Sequence, residues 1–349
     1  MNCFDIKDNL RRVMRDENCY DKELHEYLLK RNCYYLLSQI GYDSMQLISI
    51  VASNSIINNQ RYLICREVFS SLEKDIPYAN IKGSVLSSRI YGHPAYRVSG
   101  DIDLLVSANY SDKVKEILLK NGFLQGRLIG NKIIPYTREE LIYQRSLSHQ
   151  LAPFIKYTGE KLYPFVSIDI NVNIVWGEED FLVDMDEFLT HTEAFNIYGI
   201  KTFRLKPIWE FISLCMHHYK DMNSIYLIAE HGLLLSEYCD IYFYLISGYL
   251  DASELASVAK QYNLDKYVYY CIFYANEVFS DSQLKIYLKK LESRAARELL
   301  NFYGLAKKER REWTVPFEER LFDDCFKEKF YLSLTAEERY KIQVNRRFM

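Results

Sequence analysis

The sequence predicts an α+β protein, in which a small mixed sheet lies between two helical regions. Apolar residues recur at helical spacing from Asp21 to about Glu73 and again from Lys206 to about Ala306. Between Asp75 and Trp176 the pattern changes to short strand-like runs separated by Gly, Pro and Asn. We therefore predict three regions: an N-terminal helical lobe over 1–75, an α/β core over 76–177 and a C-terminal helical lobe over 178–349.

Five runs in the core region are predicted to be strands. They are 78–82, 102–106, 122–128, 146–157 and 165–175. Helical patterns at Ser84–Tyr91 and Ser111–Lys120 interleave with these runs, which indicates a mixed sheet covered by helices. The charged tail from Lys307 is interpreted as a solvated helical surface and not as a binding patch.

Composition argues against several functional classes. A net charge of -3 over 349 residues gives no overall attraction to a long nucleic acid, although a local basic groove would be compatible with it. The eight cysteines have no short paired spacing, which favours reduced thiols over a zinc site or a disulfide framework. No apolar run is long enough to cross a bilayer, and the N-terminus is too polar for a signal peptide. We expect a cytoplasmic protein without a membrane partner.

Two alternating aspartates are the most informative feature of the chain. Asp101 and Asp103 begin a strand in which Ile102 and Leu104 point to the opposite face. Both carboxylates then project the same way and repel each other unless a cation joins them. A hard divalent ion such as Mg²⁺, which prefers oxygen ligands and leaves room for substrate phosphates, fits this pair.

A strand–turn–helix junction precedes the aspartates. Lys82, Gly83 and Ser84 end one predicted strand and open a helix. Glycine lets the backbone approach an anion, and the first helical N–H groups can hold triphosphate oxygens. In isolation such a junction is more often a simple helix cap, so its weight depends on the nearby acids.

Asp169 is the best candidate for a third carboxylate. Alternation along its strand places Asp169, Asn171 and Asn173 on one face, with isoleucine and valine on the other. The alternative is a half-exposed strand with a polar outer face, which is common in antiparallel sheets. The competing acids Asp180, Asp184 and Asp186 lie in an acidic run suited to solvation or helix capping.

These residues, in this order, resemble the bacterial nucleotidyltransferase family of the DNA-polymerase-beta-like superfamily. The similarity runs from about Tyr78 to Trp176, and specifically concerns the poorly characterised branch with a Lys-Gly start and an Arg-x-x-x-Asp-x-Asp core. It extends towards the segment with His217 and Lys220, which is similar to the family's downstream helix. One departure is Asn171, which stands where many members of the branch have a histidine.

The resemblance implies a role for each matching residue. Gly83 and Ser84 would hold the β- and γ-phosphates, and Asp101 and Asp103 would bind two Mg²⁺ ions. Asp169 would complete the site of the ion that activates the acceptor, and could also serve as the general base.

Four further residues are secondary candidates. Lys82 and Arg97 either neutralise triphosphate charge or form ordinary surface or salt-bridge contacts. His217 and Lys220 lie one turn apart beside an apolar helical stripe, where a structural histidine is the commoner case. The resemblance makes them candidates for a base or an acceptor contact.

The expected function is Mg²⁺-dependent transfer of a nucleoside monophosphate from a nucleoside triphosphate to an acceptor. ATP is the expected donor, and a small molecule or peptide is the expected acceptor. Two alternatives stay open: a toxin–antitoxin-type enzyme that modifies tRNA through a basic channel, and an inactive nucleotide-binding or interaction module.

Overall fold

The computed structural model describes residues 3–15, 21–41, 44–147, 149–176 and 182–345. Asp180 lies outside these ranges. Within them, the chain forms two compact units: one is Ser49–Glu210, and the other combines Met1–Ile48 with Phe211–Val344. The three regions predicted from the sequence stay a prediction. In the division into two units, residues 49–75 of the predicted N-terminal lobe and residues 182–210 of the predicted C-terminal lobe group with the sheet.

The sheet-containing unit alternates helices and strands. Its elements are α4 (Met45–Ile64), α5 (Arg66–Asp75), β1 (Tyr78–Ile81), α6 (Gly83–Ile90), β2 (Ile102–Val106), α7 (Ser111–Lys120), β3 (Leu124–Ile129), β4 (Lys132–Pro135), α8 (Arg138–Leu147), β5 (Phe154–Tyr157), β6 (Phe165–Asn171), α9 (Met185–Phe188), β7 (Thr192–Ile197) and β8 (Ile200–Leu205). A 3₁₀ turn at Ala108–Tyr110 precedes α7.

Six strands form one mixed sheet in the order β1-β2-β6-β5-β3-β4. Strands β2 and β6 are parallel, and their neighbours in the sheet pair antiparallel. Together with the helices this confirms the predicted α+β class. Parallel pairing brings the start of β2 beside the middle of β6, and this juxtaposition positions the candidate site.

One face of the central strands builds the core. Ile102, Leu104 and Val106 of β2 are buried with Val166, Ile168 and Ile170 of β6, against apolar residues of α5 and α7. The alternation read from the sequence is therefore the alternation in the structure. The opposite face of both strands carries the acidic residues.

Two predictions of local structure differ from what is observed. Residues 146–157 were expected to be one strand, but α8 continues to Leu147 and β5 begins only at Phe154. A capping box explains the start of this helix: the Glu140 N–H donates to Thr137 Oγ1 at 3.2 Å, and the Thr137 N–H donates to Glu140 Oε2 at 2.7 Å.

The hairpin of β7 and β8 lies within residues 178–349, which were predicted to form a helical lobe. Its two-residue turn, Tyr198–Gly199, has positive φ at both positions, 51° and 75°. This is the backbone of a tight hairpin turn, which asparagine usually signals and tyrosine does not.

The second unit is helical, with one short two-stranded ribbon. Its elements are α1 (Cys3–Met14), α2 (Lys22–Lys30), α3 (Tyr34–Gln39), α10 (Pro207–Asn223, which begins in the other unit), α11 (Ile225–His231), α12 (Leu235–Ile246), α13 (Ala252–Gln261), α14 (Asp265–Phe279), α15 (Ser282–Leu291), α16 (Arg294–Leu299), β9 (Phe302–Tyr303), a 3₁₀ turn (Lys307–Glu309), β10 (Arg311–Glu312), α17 (Phe317–Phe322), α18 (Phe326–Ser333) and α19 (Ala336–Asn345). Tyr219 packs edge-on against Tyr267 and Tyr270, so these tyrosines serve as core packing. Among the described helices, none has the length and apolar character needed to traverse a lipid bilayer.

Candidate functional site

Two carboxylates stand opposite each other at the centre of the sheet. Asp103 of β2 and Asp169 of β6 are register partners in the parallel pair. Asp101 immediately precedes β2, and its side chain accepts a hydrogen bond from Ser99 Oγ at 3.3 Å. Local alternation places Asp103 and Asp169 on the face away from the apolar core.

Asp103 is the most enclosed of the three acids, with 8% of its surface exposed. Its Oδ1 accepts from Lys82 Nζ at 3.1 Å and from Asn171 Nδ2 at 3.3 Å. The carboxylate is thus paired and hydrogen-bonded, as a buried charge must be.

Asn171 is part of the site's polar support. Its amide also donates to Leu104 O at 3.4 Å, and its side-chain oxygen accepts from Gln150 Nε2 at 2.7 Å. These bonds fix which end of the amide faces Asp103. In place of the histidine of the resembling branch, this chain has a neutral donor that orients Asp103.

The acids perturb one another electrostatically. Burial, followed by repulsion from Asp101 and Asp103, raises the pKa of Asp169 to about 7. Burial and repulsion from Asp103 likewise raise the pKa of Asp101. Lys82 opposes both shifts, so its ammonium group lies within electrostatic reach of all three carboxylates.

The strand–turn–helix junction has an unusual backbone. Lys82 has φ 57° and ψ −152°, and Gly83 has φ 44°. A Cβ at Gly83 would lie 3.1 Å from Ser99 Oγ, so the turn and the start of the Asp101 segment approach closely. The backbone conformation therefore favours glycine, and the contact with Ser99 leaves little room for a side chain.

Helix α6 starts directly at this turn. Its first intrahelical bond runs from the Leu86 N–H to Lys82 O at 3.0 Å, so the preceding amides of the helix have no partner within it. Ser84 is 3% exposed, and contact with its hydroxyl lowers the pKa of Tyr198 against the effect of burial. The Ser84 hydroxyl is therefore buried near the phenol of Tyr198.

The loop between α6 and β2 is fastened to α6. Ser87 Oγ donates to His93 O at 2.7 Å and accepts from the Arg97 N–H at 3.2 Å. Arg97 is half-buried, and its charge lowers the pKa of Asp101 against the effect of burial. Both cationic candidates, Lys82 and Arg97, thus act on the carboxylates.

Helix α4 contributes a residue that the sequence interpretation missed. Arg61 donates from Nη1 to Ser99 O and to Asn58 Oδ1, the latter at 3.2 Å. Burial lowers the pKa of Arg61, and Asp101 opposes that shift. Asn54 also holds the loop, through a bond to Ala95 O at 3.4 Å. The available signal was a polar stripe at helical spacing, formed by Asn54, Asn58 and Arg61.

His217 and Lys220 belong to the other unit. Both meet the same acid, Asp221: His217 Nε2 lies 3.3 Å from one carboxylate oxygen and Lys220 Nζ lies 3.7 Å from the other. Their role as base or acceptor contact stays a prediction. Among the competing acids, Asp184 caps α9 by accepting from the N–H groups of Asp186 and Glu187.

The donor set suits a hard divalent cation. Asp101, Asp103 and Asp169 supply the oxygen ligands and the negative charge that Mg²⁺ requires, and the pKa values of Asp101 and Asp169 are raised by burial and by the neighbouring acids. Within the described ranges, however, no three Asp, Glu, His or Cys side chains already converge as a metal-binding group. Asp103 Oδ1 is instead occupied by the donors from Lys82 and Asn171.

Comparison with protein families gives one match. The model of a family described as an uncharacterised nucleotidyltransferase matches residues 44–280, which include every strand of the six-stranded sheet and all three carboxylates. No curated protein matches the chain. The family match confirms the resemblance to a nucleotidyltransferase family.

Proposed function

The chain belongs to this family of uncharacterised nucleotidyltransferases, and on that premise we propose a specific reaction. The enzyme transfers a nucleoside monophosphate from a nucleoside triphosphate to a small-molecule or peptide acceptor, and releases pyrophosphate. ATP is the proposed donor. The placement within the DNA-polymerase-beta-like superfamily is part of the same proposal.

One observation carries the proposal. Asp103 and Asp169 are register partners on adjacent parallel strands, Asp101 lies just before one of these strands, and the Gly83 turn approaches the same segment. Three carboxylates can bind a cation, and the N-terminus of a helix beside them can bind an anion. A nucleoside triphosphate bound with Mg²⁺ needs both.

Asp101, Asp103 and Asp169 are the residues that would hold Mg²⁺. When bound, the metal supplies activation of the acceptor oxygen and neutralisation of the leaving pyrophosphate. Asn171 keeps Asp103 oriented through its 3.3 Å hydrogen bond.

The triphosphate is proposed to lie at the start of α6. Gly83 allows close approach of the backbone, and the free N–H groups of the first turn, together with the helix dipole, favour an anion. Because the Ser84 side chain is buried, with 3% of its surface exposed, Ser84 would contribute its backbone amide. Lys82 and Arg97 supply positive charge beside it.

In the reaction, the acceptor oxygen forms a bond to the α-phosphorus while the bond from that phosphorus to the bridging oxygen of the β-phosphate breaks. The electron pair leaves with pyrophosphate, and the acceptor proton passes to a base. Asp169 is proposed as that base, since it would lie beside the acceptor oxygen in the site that it shares with the metal.

A label-transfer experiment tests this function. The purified protein is incubated with Mg²⁺, each α-labelled nucleoside triphosphate in turn, and deproteinised cell extract as the acceptor pool, with bulk tRNA in a parallel reaction. We expect pyrophosphate release and label in small molecules or peptides, and neither in the Asp101→Asn, Asp103→Asn double variant. Label confined to tRNA would support the tRNA-modifying alternative, and transfer that survives in the double variant would refute the proposed site.

A further inference from the structure

Lys82 forms a buried ion pair with a carboxylate of the candidate metal site. Its Nζ lies 3.1 Å from Asp103 Oδ1, and only 11% and 10% of the two side chains are exposed. The same ammonium acts electrostatically on Asp101 and Asp169. In this structure, Lys82 therefore supplies positive charge at the place where the proposed function requires Mg²⁺.

The backbone of Lys82 is strained in this position. A φ of 57° with ψ of −152° lies close to a region that is essentially restricted to glycine and is strained for a residue with a side chain. Glycine at this position would avoid the strain. A lysine retained in such a conformation indicates that its side chain has a function there.

The charges at the site do not balance with Lys82 alone. One ammonium faces three carboxylates, while Arg61 and Arg97 act electrostatically on Asp101. Asp103 Oδ1 already accepts two hydrogen bonds. A metal ion that binds this oxygen has to replace one of these two donors, and the ammonium of Lys82 is the donor whose charge repels the metal.

We propose that Lys82 is an exchangeable counter-ion, which neutralises Asp103 when no metal is bound and moves to the triphosphate when a divalent cation takes its place. This inference rests on the proposed function. The ammonium is attached to the residue directly before Gly83, so the freed side chain stays next to the N-terminus of α6. Metal binding would thereby create a nucleotide contact that Lys82 does not make while it is paired with Asp103.

The proposal predicts opposite effects on two affinities. Without nucleotide, Lys82 competes with the metal, so its removal tightens metal binding. With nucleotide and metal together, Lys82 contacts phosphate, so its removal weakens nucleotide binding. If Lys82 had only a structural role, its removal would distort the site and weaken the binding of both metal and nucleotide.

The test measures the affinity for Mn²⁺ alone by electron paramagnetic resonance, and then the affinity for ATP at saturating Mg²⁺ by calorimetry. For Lys82→Met we expect Mn²⁺ to bind on the order of fivefold more tightly, equivalent to about 1 kcal/mol, and ATP to bind about tenfold more weakly. Lys82→Gly removes the ammonium without backbone strain and should behave in the same way. Lys82→Arg, which keeps the charge, should leave Mn²⁺ affinity close to that of the wild type.

A matched control is Lys156→Met. Lys156 is a half-buried lysine of the same sheet that donates to Asn121 O at 2.9 Å, and both affinities should stay unchanged in this variant. Equal or weaker Mn²⁺ binding in both Lys82→Met and Lys82→Gly would overturn the counter-ion role. Absence of Mn²⁺ binding in the wild type would instead refute the metal site of the proposed function, which keeps the two failures distinct.

Discussion

Asp103 and Asp169 face each other across the one parallel strand pair of the described six-stranded sheet. Neighbouring parallel strands lie about 4.8 Å apart, so two carboxylates on the same face are held close whether or not a cation is present. The sheet thus enforces a repulsion that raises the pKa of Asp169. This enforced proximity determines the expected effects of Asp103 and Asp169 variants, of pH and of Mg²⁺.

Asp103→Asn should abolish nucleotidyl transfer while preserving the fold. The amide has the shape of the carboxylate but not its charge, so we expect a loss of ~10³-fold or more, about 4 kcal/mol of transition-state stabilisation. Pyrophosphate release with a labelled acceptor pool measures it. The control is Asp184→Asn, because asparagine also caps α9. Comparable losses in both variants would contradict a specific role for Asp103.

The pKa of Asp169 predicts a pH-dependent stability. Its folded-state pKa of about 7 lies above the value of about 3.9 in an unfolded chain. The contribution of this group is therefore greatest below about pH 4 and is lost as the pH rises towards 7. Without metal, Asp169→Asn should be more stable than the wild type at pH 8, by roughly 1–2 kcal/mol, with a smaller difference at pH 5.

Mg²⁺ should offset the destabilisation that ionised Asp169 causes in the wild type at high pH. Thermal unfolding at pH 8 is expected to show stabilisation by Mg²⁺ that is larger than at pH 5, because protons compete with the metal for Asp169 at the lower pH. Asp169→Asn should gain less from Mg²⁺ at either pH. A wild-type protein with the same Mg²⁺ response at both pH values would argue against this account.

Gly83→Ala should disturb the phosphate turn. The new methyl group requires a left-handed backbone and meets Ser99 Oγ at 3.1 Å, so we expect a loss of about 1–2 kcal/mol in stability and weaker nucleotide binding. Gly92→Ala is the matched control, since φ is +69° there but no atom lies within 4 Å. Denaturant unfolding and ATP titration compare the two, and equal nucleotide affinities would rule out a close approach at Gly83.

Ser87→Ala should loosen the loop before β2. Ser87 is fully buried, and its hydroxyl bonds both His93 O and the Arg97 N–H. Removing it leaves two enclosed backbone groups without this partner, at a cost of about 1–3 kcal/mol. The Arg97 amide should exchange its hydrogen faster in the variant, while the amides of β2 stay protected from exchange. An unchanged exchange rate of the Arg97 amide would show that the hydrogen bonds of Ser87 Oγ are not needed to hold the loop.

Local sequence signals were sufficient for the central elements. The predicted strand over residues 102–106 and the predicted helix over 111–120 coincide with β2 and α7, because alternation and apolar spacing report directly on a buried face. The fold class followed from these patterns. The β7–β8 hairpin did not, since its turn uses a tyrosine with positive φ in place of asparagine.

The candidate site was only partly accessible from the sequence. Alternation identified Asp101, Asp103 and Asp169 as acids of one face, and their catalytic roles stay predictions. The Lys82 ion pair and the Arg61 contact with Ser99 depend on how α4, the turn and β2 pack in three dimensions. No local pattern encodes such long-range contacts, and a polar stripe on α4 was the nearest sequence signal.

The most direct test is a crystal structure of the protein with Mg²⁺ and a non-hydrolysable nucleoside triphosphate. The account predicts metal–oxygen distances of about 2.0–2.1 Å to carboxylates of Asp101 and Asp103, with the triphosphate at the N-terminus of α6 and Asp169 beside the metal. Mg²⁺ and triphosphate bound away from these three aspartates would contradict it.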